Sequence, residues 1–119
     1  MNTTDLTVSW GTCSSNNSWC DLLHLNLNHE VFDNLNGVYI IWSGDQVIRI
    51  GSGIIKNRIA EHRENKLITV YSNLKVTWTE LHKNQMQGVE KFLAERLNPI
   101  VGERFPDRNP ISVNFPNWN

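Results

Sequence analysis

Two short apolar runs near the middle of the chain predict a β-hairpin. Gly37 to Trp42 is rich in aromatic and β-branched residues, and Gln46 to Ile50 is a second run of the same type. Such residues are typical of buried strands. Between the two runs, Ser43-Gly44-Asp45 has the small and polar residues that favour a turn. We therefore expect two antiparallel strands joined by a tight loop.

The length of that loop decides which residues of the two strands face each other. With a three-residue loop, Trp42 pairs with Gln46, and Tyr39 lies directly opposite Arg49 on one face of the hairpin. A two-residue loop would set Tyr39 against Ile50 instead. We expect the three-residue loop and the pairing of Tyr39 with Arg49.

A helix is expected after the hairpin. Gly51-Ser52-Gly53 interrupts the strand pattern, and the residues from Ile54 to about Lys66 have helical spacing, with two isoleucines four positions apart. Arg58 and His62 are also four positions apart, and they lie beside the apolar ridge of the helix rather than opposite it.

The second half of the chain predicts a third strand and a second helix. Leu74 to Glu80 alternates between apolar residues and lysine or threonine, which is typical of a strand with one buried face. Gln85 to Leu97 carries an apolar stripe at helical spacing, and Glu90 lies at the border of that stripe. Asn98 precedes Pro99, which disfavours continuation of the helix.

Together these elements predict one domain of the α/β class (α+β type), with a small, mostly antiparallel, three-stranded sheet flanked by helices. The 119 residues suit a single domain, 1–119. It divides into an N-terminal extension (1–36), a core (37–102) and an extended C-terminal tail (103–119). In the extension, residues 1–20 should be irregular, and Asp21 to Leu35 should hold either a short helix or two turns.

The charge balance limits the nucleic-acid binding that we expect. Eleven Lys and Arg against twelve Asp and Glu give a formal net charge of −1. Strong non-specific binding of nucleic acid depends on cations that replace condensed counterions. Any contact with nucleic acid should therefore be local. This counts against a strong stand-alone DNA binder but not against an enzyme that needs only brief contact.

Cysteine content and hydropathy bear on the compartment. With only two cysteines, Cys13 and Cys20, we expect free thiols rather than a secreted disulfide framework. Their spacing with His24 and His29 matches no compact zinc pattern. No apolar run approaches the roughly 20 residues that span a bilayer, and the N-terminus lacks the pattern of a signal peptide. We expect a cytoplasmic protein.

Five polar residues are candidates for chemistry because of their order and setting. They are Tyr39 and Arg49 on the hairpin, Arg58 and His62 on the first helix, and Glu90 on the second. Each alone has an ordinary structural explanation, since a strand tyrosine usually packs in a core and a helical glutamate is usually exposed. Their order along these elements is the informative feature.

This ordered set resembles the GIY-YIG nuclease family. The two triplets that name the family correspond to Gly37-Val38-Tyr39 and Arg49-Ile50-Gly51. Arg58 matches the helical arginine of the family, and His62 matches the polar residue often found one turn later. Gly88 to Leu93 matches the helix that carries the family's glutamate. The chain departs from the family at Arg49, where a tyrosine is usual.

The resemblance implies a metal-dependent endonuclease that hydrolyses phosphodiester bonds in DNA. Glu90 would hold one Mg²⁺ or Mn²⁺, a hard cation suited to carboxylate and phosphate oxygens. Tyr39 would position or deprotonate the attacking water, and Arg58 would bind the phosphate. Arg49 would either lower the pKa of Tyr39 or act as a second phosphate clamp. Asn98 is the nearest candidate for a further asparagine of the family.

We expect the five side chains to converge on one cleft, with Tyr39 and Glu90 on the same side of the sheet. DNA is the expected partner, with RNA as an alternative. A different class of function is a relative that has lost catalysis and serves as a nucleic-acid-binding or protein-interaction module. Arg49 and the near-neutral charge favour that module, whereas Tyr39, Arg58, His62 and Glu90 favour the enzyme.

Overall fold

The fold is organised by one antiparallel sheet. The computed structural model describes residues 4–13, 18–102 and 108–117. The strands in these residues are β1 (Cys20–Asp21), β2 (Asn36–Ser43), β3 (Gln46–Ile54) and β4 (Leu74–Glu80). The α-helices are α1 (Ile55–Arg63), α2 (Lys66–Thr69) and α3 (Lys83–Leu97). The strand order is β1-β4-β2-β3, so β3 lies at one edge of the sheet and β1 at the other.

The sheet has four strands in the described residues, and the predicted count of three is wrong. The additional strand is β1, which joins β4 through the pairs Cys20↔Val76 and Asp21↔Lys75. Two residues are too few to show the alternation by which a strand is recognised in sequence. The residues that follow, up to Leu35, form turns and one 3-10 helix, Glu30–Phe32. The coarser prediction, an antiparallel sheet with helices in an α+β arrangement, is confirmed.

The hairpin loop is shorter than predicted. Ser43 pairs with Gln46, so the loop is the two-residue turn Gly44-Asp45. Gly44 has a φ of 58°, a conformation that glycine adopts without the steric cost of a Cβ. The three-residue loop is therefore wrong.

A bulge between Ile41 and Trp42 changes the register further along the hairpin. The shorter loop and the bulge each shift the pairing by one residue, so Tyr39 pairs with Gly51, and the predicted pairing with Arg49 is wrong. Arg49 instead pairs with Ile41, two residues from Tyr39. Side chains alternate between faces with a period of two, so Arg49 still lies on the face of Tyr39, as predicted.

Capping residues set helix ends that the apolar pattern alone did not locate. The predicted first helix is divided after Arg63, and Asn65 caps α2 by accepting a hydrogen bond from the backbone N–H of Leu67. The second predicted helix begins two residues earlier than expected because His82 and Gln85 form a capping box.

Both faces of the sheet are covered. One apolar cluster lies between the sheet and the α1–α2 side, and it includes Tyr39, Ile59 and Trp78. The other lies between the sheet and α3. The prediction that β4 has only one buried face is wrong, since Thr77 and Thr79 are both buried. The N-terminal segment lies on this side, where the hydroxyl of Thr77 donates a hydrogen bond of 2.8 Å to the carbonyl of Gly11.

The terminal segments pack together against the sheet. Leu6 and Val113 form a parallel bridge, and the backbone N–H of Val8 donates to the side-chain oxygen of Asn114 at 2.7 Å. The described part of the predicted C-terminal tail, 108–117, has no helix, in agreement with an extended tail. Residues 103–107 and 118–119 of that tail lie outside the described residues.

Cys13 and Cys20 form a disulfide, so the prediction of free thiols is wrong. The backbone brings them together, because Gly11 donates a hydrogen bond to the carbonyl of Trp78 while Cys20 pairs with Val76 on the same strand. The Cα atoms of the two cysteines are 5.0 Å apart. Cysteine number alone did not reveal this proximity.

None of the helices in the described residues is long and apolar enough to cross a membrane. The cytoplasmic location stays a prediction.

Candidate functional site

The candidate site lies along the C-terminal half of β3. Two glycines there lack the side chains that would block it. A Cβ atom at position 51 would lie 2.2 Å from the hydroxyl oxygen of Tyr39. At position 53 it would lie 2.7 Å from Nε of Arg58. Gly51 therefore allows the Tyr39 side chain, which begins on the central strand β2, to extend across to the edge of the sheet.

Tyr39 makes a short hydrogen bond with His62. The hydroxyl oxygen of Tyr39 is 2.5 Å from Nε2 of His62 on α1, and both side chains are buried. Burial lowers the pKa of His62 to about 4, and the charges of Arg49 and Arg58 act in the same direction. The imidazole is therefore neutral at neutral pH, and in the tautomer with its proton on Nδ1 it accepts the proton of the Tyr39 hydroxyl.

Burial also controls Tyr39. The pKa of Tyr39 is raised, mainly by burial and in part by the charge of Glu90, although Arg49 and Arg58 act to lower it. The predicted effect of Arg49 is thus present, but it is smaller than the cost of desolvating a phenolate. At neutral pH Tyr39 therefore keeps its proton, and it can accept a proton from water only if its own proton passes to another group.

Arg49 combines a buried stem with incomplete hydrogen bonding. Its Nη1 donates a long hydrogen bond of 3.5 Å to the carbonyl of Val101. Its Nε is buried and has no hydrogen-bond partner among the described residues. A buried unpaired donor on a permanently charged group is costly, and such groups are concentrated at functional sites.

Arg58 lies at the entrance of the site. Its guanidinium is exposed, passes over Gly53 and forms an ion pair with Glu61 one turn further along α1, with Nη1 3.2 Å from the carboxylate. An exposed pair of this kind is weak and is readily exchanged for another anion.

Glu90 approaches the same edge from α3. It is only 8% exposed, and burial raises the pKa of its carboxyl group. The hydroxyl of Ser52 on β3 donates to one carboxylate oxygen at 2.6 Å, and that bond, with Arg49 and Arg58, lowers the pKa of Glu90 in opposition to burial.

The convergence of the five residues is therefore only partly as predicted. Tyr39 belongs to the cluster on the α1–α2 side, whereas Glu90 is on the helix that covers the other face, so the expectation of a common side is wrong. Gly51, which pairs with Tyr39, and Ser52, which bonds Glu90, are neighbours on β3, so the two groups lie on opposite faces of the same edge strand. The site wraps around the edge of the sheet.

Asn98 lies apart from this group. It ends α3 in a left-handed conformation with a φ of 49°, eight residues beyond Glu90. At 1.5 Å per residue, this is about 12 Å along the helix. The structure gives Asn98 a capping role. The structure also adds Ser52 to the candidate site, because its hydroxyl bonds Glu90. The sequence pattern placed Ser52 in a strand-breaking segment between two glycines.

Within the described parts of the chain, no group of three or more His, Cys, Asp or Glu residues is arranged to hold a metal ion. Of the five candidate residues, Glu90 carries the carboxylate that could bind a metal at this edge. Comparison of the chain with protein-family models, with curated proteins and with solved structures found no match.

Proposed function

We propose that this protein is a divalent-metal-dependent endonuclease that hydrolyses phosphodiester bonds in DNA, as the resemblance to GIY-YIG nucleases implies. One observation carries the proposal: three consecutive residues of the β3 edge serve candidate residues on both faces, since Gly51 and Gly53 make room for Tyr39 and Arg58 and the hydroxyl of Ser52 bonds Glu90 on the other face. Hydrolysis of a phosphodiester requires a proton acceptor for water, positive charge near the phosphoryl oxygens and a group that can hold a metal.

The Tyr39–His62 hydrogen bond offers a route for the proton of the attacking water. In the proposed step, a water proton passes to the hydroxyl oxygen of Tyr39 while the Tyr39 proton passes to Nε2 of His62. The water oxygen bonds to phosphorus, the bond from phosphorus to the leaving sugar oxygen breaks, and that oxygen takes a proton from solvent. No free tyrosinate is formed, which avoids the charge that burial of Tyr39 disfavours.

The approach of the substrate would make His62 a better acceptor. Arg49 and Arg58 both lower the pKa of His62 in the free protein. A bound phosphate would neutralise part of their charge and so raise that pKa. Arg58 would exchange Glu61 for the phosphate, and a guanidinium can form two parallel hydrogen bonds with phosphate oxygens.

The residues fit a Mg²⁺ or Mn²⁺ ion whose coordination shell is completed by substrate phosphate and water. Mg²⁺ commonly binds through one or two carboxylates together with waters and substrate phosphates. Glu90 supplies one such carboxylate, and nearby Arg49 and Arg58 help to keep it charged despite burial. When bound, the ion would neutralise charge on the phosphoryl group. Binding in the absence of nucleic acid should be weak.

The decisive experiment is incubation of the protein with supercoiled plasmid and Mg²⁺ or Mn²⁺, with strand breaks followed by gel electrophoresis. We expect cleavage by the unaltered protein and none by Glu90→Ala. Glu95→Ala, an exposed glutamate on the same helix, is the matched control and should cleave normally. Equal cleavage by Glu90→Ala and the unaltered protein would refute the proposed role of Glu90.

Calorimetry tests the metal site separately. Titration of Mg²⁺ into the protein should give weak binding that Glu90→Ala abolishes. Tight binding that survives this substitution would show that the metal is held elsewhere.

A catalytically inactive nucleic-acid-binding module is the second candidate, and Arg49 is the observation that favours it. A permanent cation stands where the related family has a second tyrosine, and its buried Nε has no partner among the described residues. Under this alternative, the protein would bind nucleic acid or another anion and cut nothing with either metal. A gel-shift assay beside the plasmid assay distinguishes the two candidates.

A further inference from the structure

Ser52 lies on the edge strand β3 and connects it to Glu90 on α3. It lies between Gly51 and Gly53, whose missing side chains make room for Tyr39 and Arg58. It pairs with Val38 on β2, which places its side chain on the α3 side of the sheet. Ser52 is thus the one side chain in this three-residue stretch, and it faces Glu90.

The contact between Ser52 and Glu90 restrains an otherwise flexible group. A glutamate side chain has three rotatable bonds, and fixing them costs conformational entropy. The 2.6 Å hydrogen bond occupies one carboxylate oxygen and links α3 to β3, two elements that are far apart in the chain. Because a charged acceptor strengthens the bond, this contact holds the carboxylate firmly.

We propose that Ser52 is a positioning residue for the metal: it holds one oxygen of Glu90 so that the other is presented to the ion at the β3 edge. The inference rests on the proposed function, since it concerns the same ion. Partners that orient a metal ligand in this way typically contribute 10- to 100-fold to metal affinity or activity.

The test compares Ser52→Ala with Ser52→Thr, which keeps the hydroxyl. Ser43→Ala is the control, because Ser43 also donates a side-chain hydrogen bond in the hairpin, to the carbonyl of Ser72, but at the turn end. The Mg²⁺ concentration for half-maximal plasmid cleavage should rise about 10-fold in Ser52→Ala. The rate at saturating Mg²⁺ should change less, and Ser52→Thr should restore the normal requirement.

A second readout does not depend on cleavage. With carbon-13 in the glutamate carboxyl groups, Mn²⁺ should broaden the Glu90 signal at low concentration in the unaltered protein and in Ser52→Thr. Ser52→Ala should need about 10-fold more Mn²⁺ for the same broadening. Identical broadening and identical Mg²⁺ requirement in Ser52→Ala would overturn the inference.

The two readouts also separate this inference from the proposed function. If the unaltered protein cuts nothing, the proposed endonuclease fails. Ser52-dependent broadening of the Glu90 signal would still support the positioning role, and broadening that is independent of Ser52 would overturn it.

Discussion

Toward each edge of the sheet, a glycine makes room for an aromatic side chain, but the two aromatic side chains have different surroundings. At the β3 edge, Gly51 makes room for the hydroxyl of Tyr39, and toward the opposite edge, beside the inner strand β4, Gly11 makes room for the indole of Trp78. The hydroxyl of Tyr39 hydrogen-bonds Nε2 of His62, and the charges of Arg49 and Arg58 lower the pKa of Tyr39. Trp78 packs on Phe32, with the ring centroids 4.9 Å apart, beside the Cys13–Cys20 disulfide.

The difference between the edges lies in what their burial does to stability. Around Trp78, burial removes apolar surface from water and stabilises the fold. Around Tyr39, burial disfavours the charged forms of His62 and Glu90 and leaves Nε of Arg49 unpaired among the described residues. A fold that tolerates these costs at one edge only is typical of a functional site supported by a stable scaffold.

The largest expected effect is on the chemistry of the β3 edge. Arg49→Ala should reduce cleavage about 10²- to 10³-fold, because loss of one preorganised charged contact typically costs about that much. Thermal unfolding should be little affected. Arg49→Tyr, which restores the family residue, should keep or raise activity. If the natural protein is inactive and only Arg49→Tyr cuts, Arg49 marks a disabled site, and the binding module becomes the better proposal.

A paired substitution compares the two edges directly. Gly51→Ala and Gly11→Ala each place a Cβ against a rigid ring system, at 2.2 Å from Tyr39 and 2.5 Å from Trp78. Both should lower the free energy of unfolding by about 3 kcal/mol, the upper part of the range for overpacking. At a temperature where both variants are folded, only Gly51→Ala should lose cleavage. Equal activity in the two variants would contradict the functional distinction between the edges.

The disulfide should matter for stability and not for chemistry. It joins residues seven positions apart, and the loop-entropy relation gives about 2.5 kcal/mol for a loop of this size. A reducing agent should therefore lower the melting temperature of the natural protein but not that of Cys13→Ser/Cys20→Ser. Plasmid cleavage at low temperature should be the same with and without the agent.

The smallest expected effect is a pH dependence that originates at the β3 edge. Above pH 6.5, His62 is neutral in both the folded and unfolded chain. As the pH falls from about 6.5 to about 4, His62 is protonated in the unfolded chain but stays neutral in the folded chain. The free energy of unfolding therefore decreases. One pKa unit corresponds to about 1.4 kcal/mol, and with partial solvent access we expect a loss on the order of 2 kcal/mol.

Comparison with His62→Gln isolates this contribution. The raised pKa of Glu90 acts with the opposite sign, because protonation of its buried carboxyl group favours the folded state as the pH falls. Arg49 and Arg58 lower the pKa of His62, and Glu61 raises it. Chemical unfolding at several pH values should show a steeper acid loss in the natural protein than in His62→Gln. Parallel curves would contradict the neutral, buried histidine.

Sequence reasoning located the elements better than their pairing. The predicted bounds, Leu74 to Glu80, are the bounds of β4, because seven residues with alternating polarity give a strong strand period in the sequence. The loop length and the bulge at Ile41 and Trp42 have no such period, and each moved the partner of Tyr39 by one residue, from Arg49 to Gly51. That Tyr39 and Arg49 share one face of the sheet was nevertheless predicted correctly, since a shift of two residues preserves the alternation of side chains.

The candidate site was predictable as a set of residues but not as a geometry. Glu90 was recognisable at the border of an apolar stripe, and it is indeed nearly buried. Its approach from the opposite face depends on α3 crossing the sheet, which is a tertiary property. Ser52 was hidden because a serine between two glycines has the composition of a turn. The disulfide was missed because it depends on Gly11 lying beside Trp78.

The bridge between Leu6 and Val113 has a consequence for the synthesis of the protein. The adjoining hydrogen bond, from the backbone of Asp5 to the Ser112 hydroxyl, joins residues 107 positions apart. Translation proceeds at about 5–20 residues per second, so the first of these segments waits about 5–20 s for its partner. The hairpin of β2 and β3, whose contacts are local, can close in microseconds once it emerges. The nascent chain should therefore assemble from its middle outwards.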